Sequence, residues 1–179
     1  GFGDDKVAAM GIVMKINMIA ALVLVGFAFG GQPLIGYNYG AKNRERLKET
    51  LKFAYLFECG MSLVLIVALG AFAPQLVRIF MSDPAVVENG ALMLRLQLAG
   101  MMFMGIVLIS TCTFQSAGQA VGAFLLSVSR QGVIFAIVLN VALRVAGYQG
   151  VLASQAVSDL LTALLAVVLV VRWWKSVEF

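Results

Sequence analysis

The 179-residue chain contains no histidine, so the side chain most used for proton transfer near neutral pH and for holding transition metals is missing. It has only two cysteines, Cys59 and Cys112, both inside apolar runs. A thiol in that setting is a small hydrophobe, so neither a disulfide framework nor a redox compartment follows. There is no phosphate-cradling loop, no metal-ligand spacing and no nucleophile with a base beside it, so an enzyme is not expected. Charge is scarce too: 12% of residues are charged against 61% hydrophobic, and the mean hydropathy is +0.97. A soluble fold of this length needs a polar outside, and there are too few polar residues to make one. The sequence is that of an all-α polytopic membrane protein.

What is present is a series of long apolar runs. About 20 apolar residues cross a bilayer as a helix, and on that measure five spans are expected, at about 6–40, 47–72, 86–116, 119–146 and 150–173. Punctuation separates them: Pro74 after "GAFA", "SDP" at Ser82–Pro84, and the "AGYQG" turn at Ala146–Gly150. Residues 1–179 read as one transmembrane domain. The net charge of +4 is concentrated in Lys42, Arg44, Arg46, Lys48 and Lys52, interleaved only with Glu45 and Glu49. Such a cluster beside a span reads first as a cytoplasmic loop, with a polybasic lipid site as the alternative, and not as a nucleic-acid surface. With loop 42–52 inside, the C-terminus with Arg172 and Lys175 is also inside, and Trp173 and Trp174 fall at the last interface. No signal peptide is recognised, and the chain opens "GFGDDK" with a loop feeding straight into a span. An odd number of spans and this opening read as a piece of something longer.

Ionisable residues inside spans are functional candidates by default. Lys15, Glu58, Arg95, Arg130 and Asp159 lie there. At about 1.5 Å per residue, Arg130 lies roughly 16 Å from the inner end of its helix and Asp159 roughly 13 Å from the outer end of the last. They can meet near the midplane, and Arg95, about 10 Å from the outer face, is a second candidate partner for Asp159. Gln155, Ser158, Asp159 and Thr162 fall at i, i+3, i+4, i+7, one polar stripe that must face protein or a water-filled cavity. Two readings stand: a static ion pair pinning two helices, or a carboxylate in the coupling or substrate pathway. Glu58, in "YLFECGM", either carries a proton or reaches Lys15 or the basic loop. Asn17 and Gln155 complete the polar pathway candidates. Met10, Met14 and Met18 share a helix face, and "MMFM" at Met101–Met104 adds a second group. Thioethers suit promiscuous binding surfaces and serve equally as packing filler.

The stretch "GGQPLIGYNYGAKNRER", Gly30–Arg46, ends the first span with unusual backbone irregularity. Pro33 removes a helix hydrogen bond and favours a kink about one turn earlier. Gly36 and Gly40 form a small-xxx-small pair suited to close helix approach. Tyr37 and Tyr39 suit the headgroup level, and Asn38 offers polar contacts to freed backbone. A hinged inner helix end is expected, with Gln32 as part of the motif.

"QPLIGYNYGA" at Gln32–Ala41, followed by the basic stretch, resembles the MATE family of multidrug and toxic-compound efflux transporters. "VAAMGIVMKI" (Val7–Ile16) resembles that family's eighth helix, and "LVRIFMSDPAVVENGALMLRL" (Leu76–Leu96) its ninth-to-tenth connection. "FQSAGQAVGAFLLSVSRQG" (Phe114–Gly132) is similar to the tenth-to-eleventh segment, and "GYQGVLASQAVSD" (Gly147–Asp159) to the start of the twelfth. The resemblance covers nearly the whole chain, in the family's order.

It implies a twelve-helix, two-lobe antiporter in a bacterial-type cytoplasmic (inner) membrane, exporting cationic or amphipathic compounds in exchange for H⁺ or Na⁺, with no other cofactor. This chain would supply helices 8–12, without the N-terminal lobe and helix 7. Departures from the pattern exist. Ala136 and Ile137 stand where many relatives have a proline, and Ala156 where "QP" is common. Some relatives bind the coupling cation through an acidic residue in helix 10. Between Met101 and Phe114 this chain has only Ser110, Thr111 and Thr113, which shifts the expected coupling to the N-terminal lobe. The rival readings are a lipid-linked oligosaccharide flippase of the same superfamily, with Arg95 and Arg130 meeting pyrophosphate, and a non-transporting truncated membrane fragment.

Overall fold

In the computed structural model, which describes residues 4–177, the chain is a bundle of helices with no other regular structure among those residues. Helix α1, Asp4–Gly40, is apolar on every side, as a helix surrounded by lipid and protein must be. Its backbone stays helical through Pro33. It ends in a Schellman motif: Asn43 N donates to Asn38 O at 3.1 Å and Lys42 N to Tyr39 O at 3.0 Å. Lys42 takes the left-handed position of that motif (φ 53°), where glycine is usual.

Helix α2, Arg44–Ala71, starts immediately, its first turn capped by Asn43 Oδ1, which accepts from Arg46 N at 3.0 Å. The connection after it is not the plain loop expected from the sequence. Residues Ala73–Phe80 form a short helix, α3, that buries Ala73 and Val77 against α4 and leaves Ile79 and Phe80 exposed. Pro74 lies in its first turn, where a missing N–H costs nothing. Helix α4, Pro84–Leu98, is capped by Asp83, whose Oδ1 accepts from Ala85 N at 2.8 Å and Val86 N at 3.3 Å.

The span expected over 86–116 is two helices in sequence, α4 and α5 (Met101–Ser116), interrupted at Ala99–Gly100. Helix α6, Ala120–Val128, then leads through a π-helical turn, Ser129–Val133, into α7, Ile134–Ser176. Together these residues form 57 residues of helix, roughly 85 Å if straight, far more than a bilayer's thickness. The chain instead folds back at Gly147, whose backbone (φ 55°, ψ −130°) is open only to glycine at low cost. Beyond it Gly150 faces the Ala142 carbonyl so closely that any Cβ would overlap it. The result is five passes: α1, α2, α4–α5, 120–146 and 148–176.

The principal packing partners are α1 with α4, α5 with α7, and α2 with both α1 and α5. The core falls into two main clusters. One gathers Val13, Leu24, Val77, Met93, Leu98 and Leu152; the one near the basic loop gathers Ile35, Leu47, Phe114, Leu126, Ala166 and Trp173. Trp173, expected at the interface, is buried, with Phe114 6.0 Å and Tyr39 5.8 Å away by ring centroid. Trp174 stays partly exposed.

Candidate functional site

Between α1, the α4–α5 break and both limbs of α6–α7 lies a cavity of about 480 Å³. The two methionine groups of the sequence meet there, Met10, Met14 and Met18 from α1 and Met101 and Met104 from α5. Phe135 and Leu139 from the limb 134–146 continue the apolar wall. The polar side chains of this lining are Asn17, Gln97, Gln131, Ser154, Gln155 and Asp159, with Arg130 beside Asp159.

Arg130 Nε donates to Asp159 Oδ1 at 3.0 Å, with both side chains largely buried. Gln155 Nε2 lies 3.3 Å from each oxygen of the same carboxylate, the i, i+4 reach of one helix face. The π turn contributes directly. By placing one extra residue per turn it sets Arg130 and Gln131 on the cavity wall, and its freed Arg130 carbonyl accepts from Ser158 Oγ at 3.3 Å. Thr162 is turned back on Ser158 O at 2.8 Å, so the lower part of the polar stripe is spent on helix contacts. On the facing side Asn17 Nδ2 donates to Gln97 Oε1 at 2.7 Å, joining α1 to α4.

The interruption at Gly100 is a feature that the sequence reading missed. A Cβ there would stand 3.1 Å from Asp159 Oδ2 and 3.1 Å from Ala156 Cα. Ala156 and Asp159 are thus the residues that the α4–α5 interruption faces. The only prior signal was the "AGMMFM" sequence itself, a glycine at the start of an apolar run.

Other candidates sit elsewhere. Arg95 is not a partner of Asp159: it is exposed, donates from Nε to Gly70 O at 3.0 Å, and borders a separate hollow with Arg78 and Glu88. Lys15 is exposed, does not line the cavity, and makes no hydrogen bond to Glu58, whose carboxylate oxygens have no partner. Glu58 is 1% exposed, and neither carboxylate oxygen has a hydrogen-bond partner. Its chain lies on α5 at Gly105, where a Cβ would come within 2.9 Å of Glu58 Cγ. The hydroxyls of Ser110, Thr111 and Thr113 on α5 return to carbonyls four residues back at 2.7–2.8 Å. Ser110 also meets Tyr55 OH at 2.8 Å.

The "QPLIGYNYGA" end of α1 is a packing joint. Gln32 Nε2 donates to Gln115 Oε1 at 3.2 Å, Ser116 Oγ donates to Gln32 O at 3.1 Å, and Gly36 brings α1 within contact of Ser116. Gly40 faces open space, so only one glycine of the expected pair serves close approach. Asn38 is buried and donates to Leu34 O and Thr50 Oγ1, both at 3.0 Å, not to the carbonyl that Pro33 leaves without a donor. Tyr37 is exposed. Among the described residues no group of three or more His, Cys, Asp or Glu is placed to hold a metal.

An all-α, multi-pass membrane bundle enclosing a methionine-walled cavity with one ion pair at its side is the class that fold and site define. A MatE profile matches residues 1–142, and the chain belongs to the MatE family. It is similar to the multidrug export protein MepA of Staphylococcus aureus strain N315, 29% identical over 169 residues, covering 94% of this chain and 37% of that protein. The MepA of strain NCTC 8325 is 30% identical over 170 residues, with the same coverage. The chain thus spans little more than a third of the length of these relatives. Among solved structures, an outward-facing multidrug resistance MATE family transporter of the MOP superfamily superposes with a TM-score of 0.91 at 18% identity, over 99% of this chain and 40% of that one. A MOP superfamily transporter from Pyrococcus furiosus, whose binding pocket is described as reversed in polarity with a different function suggested, gives 0.85 at 18% identity, over 97% and 38%.

Proposed function

We propose that this chain forms helices 8–12 of a multidrug efflux antiporter, which exports cationic or amphipathic compounds across a cytoplasmic (inner) membrane in exchange for H⁺ or Na⁺. The observation that carries the reading is the cavity, where five adaptable thioethers share one lining with a single carboxylate, Asp159. Polarizable, unbranched side chains conform to guests of many shapes, while one buried carboxylate selects for positive charge. Arg130 and Gln155 hold that carboxylate. A cationic guest competes with Arg130 for it, so binding and release turn on a charge that is already balanced. Asn17 and Gln97 present an amide wall opposite.

The same reading sets loop 42–52 and the C-terminus on the cytoplasmic side, by the excess of lysine and arginine there. The Gln32–Gly40 segment is then the inner end of α1, and bending at Pro33 would open the cavity toward the cytoplasm. A single lobe cannot alternate access alone, so the N-terminal lobe of the full-length protein is the partner this reading requires. The flippase alternative called for a cationic cavity. Arg95 lies outside it and Arg130 is neutralised by Asp159, which favours the drug antiporter.

The test is cation efflux by the full-length protein in a drug-sensitised host. Resistance to several unrelated cationic compounds is expected, lost in Asp159→Asn at equal membrane abundance. Unchanged resistance in that variant would remove Asp159 from the substrate path, and an inert wild type would overturn the assignment.

A further inference from the structure

The end of the bundle that carries the basic loop holds a second cavity, of about 250 Å³, on the outside of the helix pair α2–α7. Its floor and walls are apolar: Leu51 and Tyr55 from α2, Val170 and Val171 from α7. Its rim is not. Lys48 from the first turns of α2 and Lys175 from the last turn of α7 border it, with Trp174 between them. These lysines are 127 positions apart in sequence, and only the fold brings them to one slot. The Arg44 guanidinium lies 5.6 Å from the Trp174 ring centroid.

An apolar slot between two spans, closed at the headgroup level by cations and a tryptophan, has the shape and charge order of a phospholipid. We propose that it is a binding site for an anionic phospholipid, with an acyl chain against Leu51, Val170 and Val171 and the phosphate between Lys48 and Lys175. Glu45 and Glu49 occupy the same helix, but neither lines the slot. Successive helix positions point about 100° apart, so Lys48 can face the slot while Glu49 faces away. Both lysines are exposed, and Val171 is 48% exposed, so the slot opens to the surrounding medium instead of to the protein core. The slot shares no lining residue with the methionine-lined cavity and does not depend on the function proposed for it.

The experiment uses the full-length protein in delipidated detergent micelles, titrated with phosphatidylglycerol or phosphatidylcholine and followed by native mass spectrometry and thermal unfolding. Phosphatidylglycerol is expected to bind more tightly and to raise Tm further than phosphatidylcholine. Each of Lys48→Gln and Lys175→Gln should weaken phosphatidylglycerol binding by about fivefold, the effect of one basic residue at an anionic membrane surface. Lys48→Arg should retain it. Val171→Trp leaves every charge in place but fills the slot, and should reduce binding as well. Equal binding of the two lipids, or an undiminished phosphatidylglycerol preference in the double glutamine variant, would overturn the site. If inorganic phosphate alone gives the same rise in Tm, the slot is not a lipid site either.

Discussion

Gly100 and Asp159 touch: the hydrogen that glycine carries in place of a side chain faces Oδ2, where a Cβ would be 3.1 Å away. The carboxylate at the cavity wall is therefore positioned from behind by a residue with no side chain. Gly100→Ala should crowd Asp159 and Ala156 at the α4–α5 interruption and disturb the Arg130–Asp159 contact. A destabilisation of about 1–3 kcal/mol is expected for overpacking at such a contact, read as a lower Tm, together with impaired efflux in the full-length protein. Gly40→Ala is the control, because that position faces open space and should change neither.

The Arg130–Asp159 pair lends itself to a double-mutant cycle. Removing one partner strands a buried charge, which costs about 3–5 kcal/mol. Arg130→Met and Asp159→Leu together should be markedly less destabilising than the sum of the single changes, as read by thermal unfolding. If the double variant is stable but inactive, the pair works in transport; if it is stable and active, the pair is a pin between helices.

Glu58 calls for the opposite experiment. Its two oxygens are buried without a partner, so the fold gains nothing from them. Glu58→Leu should leave stability equal or raise it, by up to about 1–3 kcal/mol, the cost of an unsatisfied buried polar group. A fall in Tm would mean that the full-length protein supplies the carboxylate with a partner. Preserved stability with lost pH-driven efflux would place Glu58 in proton coupling.

The hinge proposed for the end of α1 makes its own prediction. The double change Pro33→Ala, Gly36→Ala restores a helix hydrogen bond and stiffens the segment, and the Ser116 contact at 3.7 Å leaves room for the added methyl group. Membrane insertion and abundance should be unchanged while efflux falls. Full efflux in that variant would show that α1 does not bend there.

How much of this was legible beforehand follows from what a helix sequence encodes. Depth is readable, because each residue advances about 1.5 Å, and depth alone brought Arg130 to Asp159. Direction around the helix axis is much harder to read in a span that is apolar on all sides. Arg95 lay at a suitable depth for Asp159, yet it points to Gly70 on the outside of the bundle; Lys15 and Glu58 differ in the same way. The reversal at Gly147 was visible as a glycine-rich turn. The break at Gly100 and the π turn were not, since both face the limb 148–176, at Ala156 and Ser158, and neither contains a proline. Helix α3 went unseen because Pro74 reads as a break between spans, whereas it stands in the first turn of a helix.

The π turn at Ser129–Val133 also acts as a phase shift. Accommodating one extra residue turns everything on one side of it by about 100° relative to everything on the other. Gln131, Phe135 and Leu139 all face the cavity at four-residue intervals only in the present phase. Deleting one residue from the turn would leave composition and hydropathy nearly untouched, yet rotate one flank against the other and exchange part of the cavity wall for a lipid-facing surface. In this chain the identity of the binding wall is thus held by a count of residues as much as by their kinds.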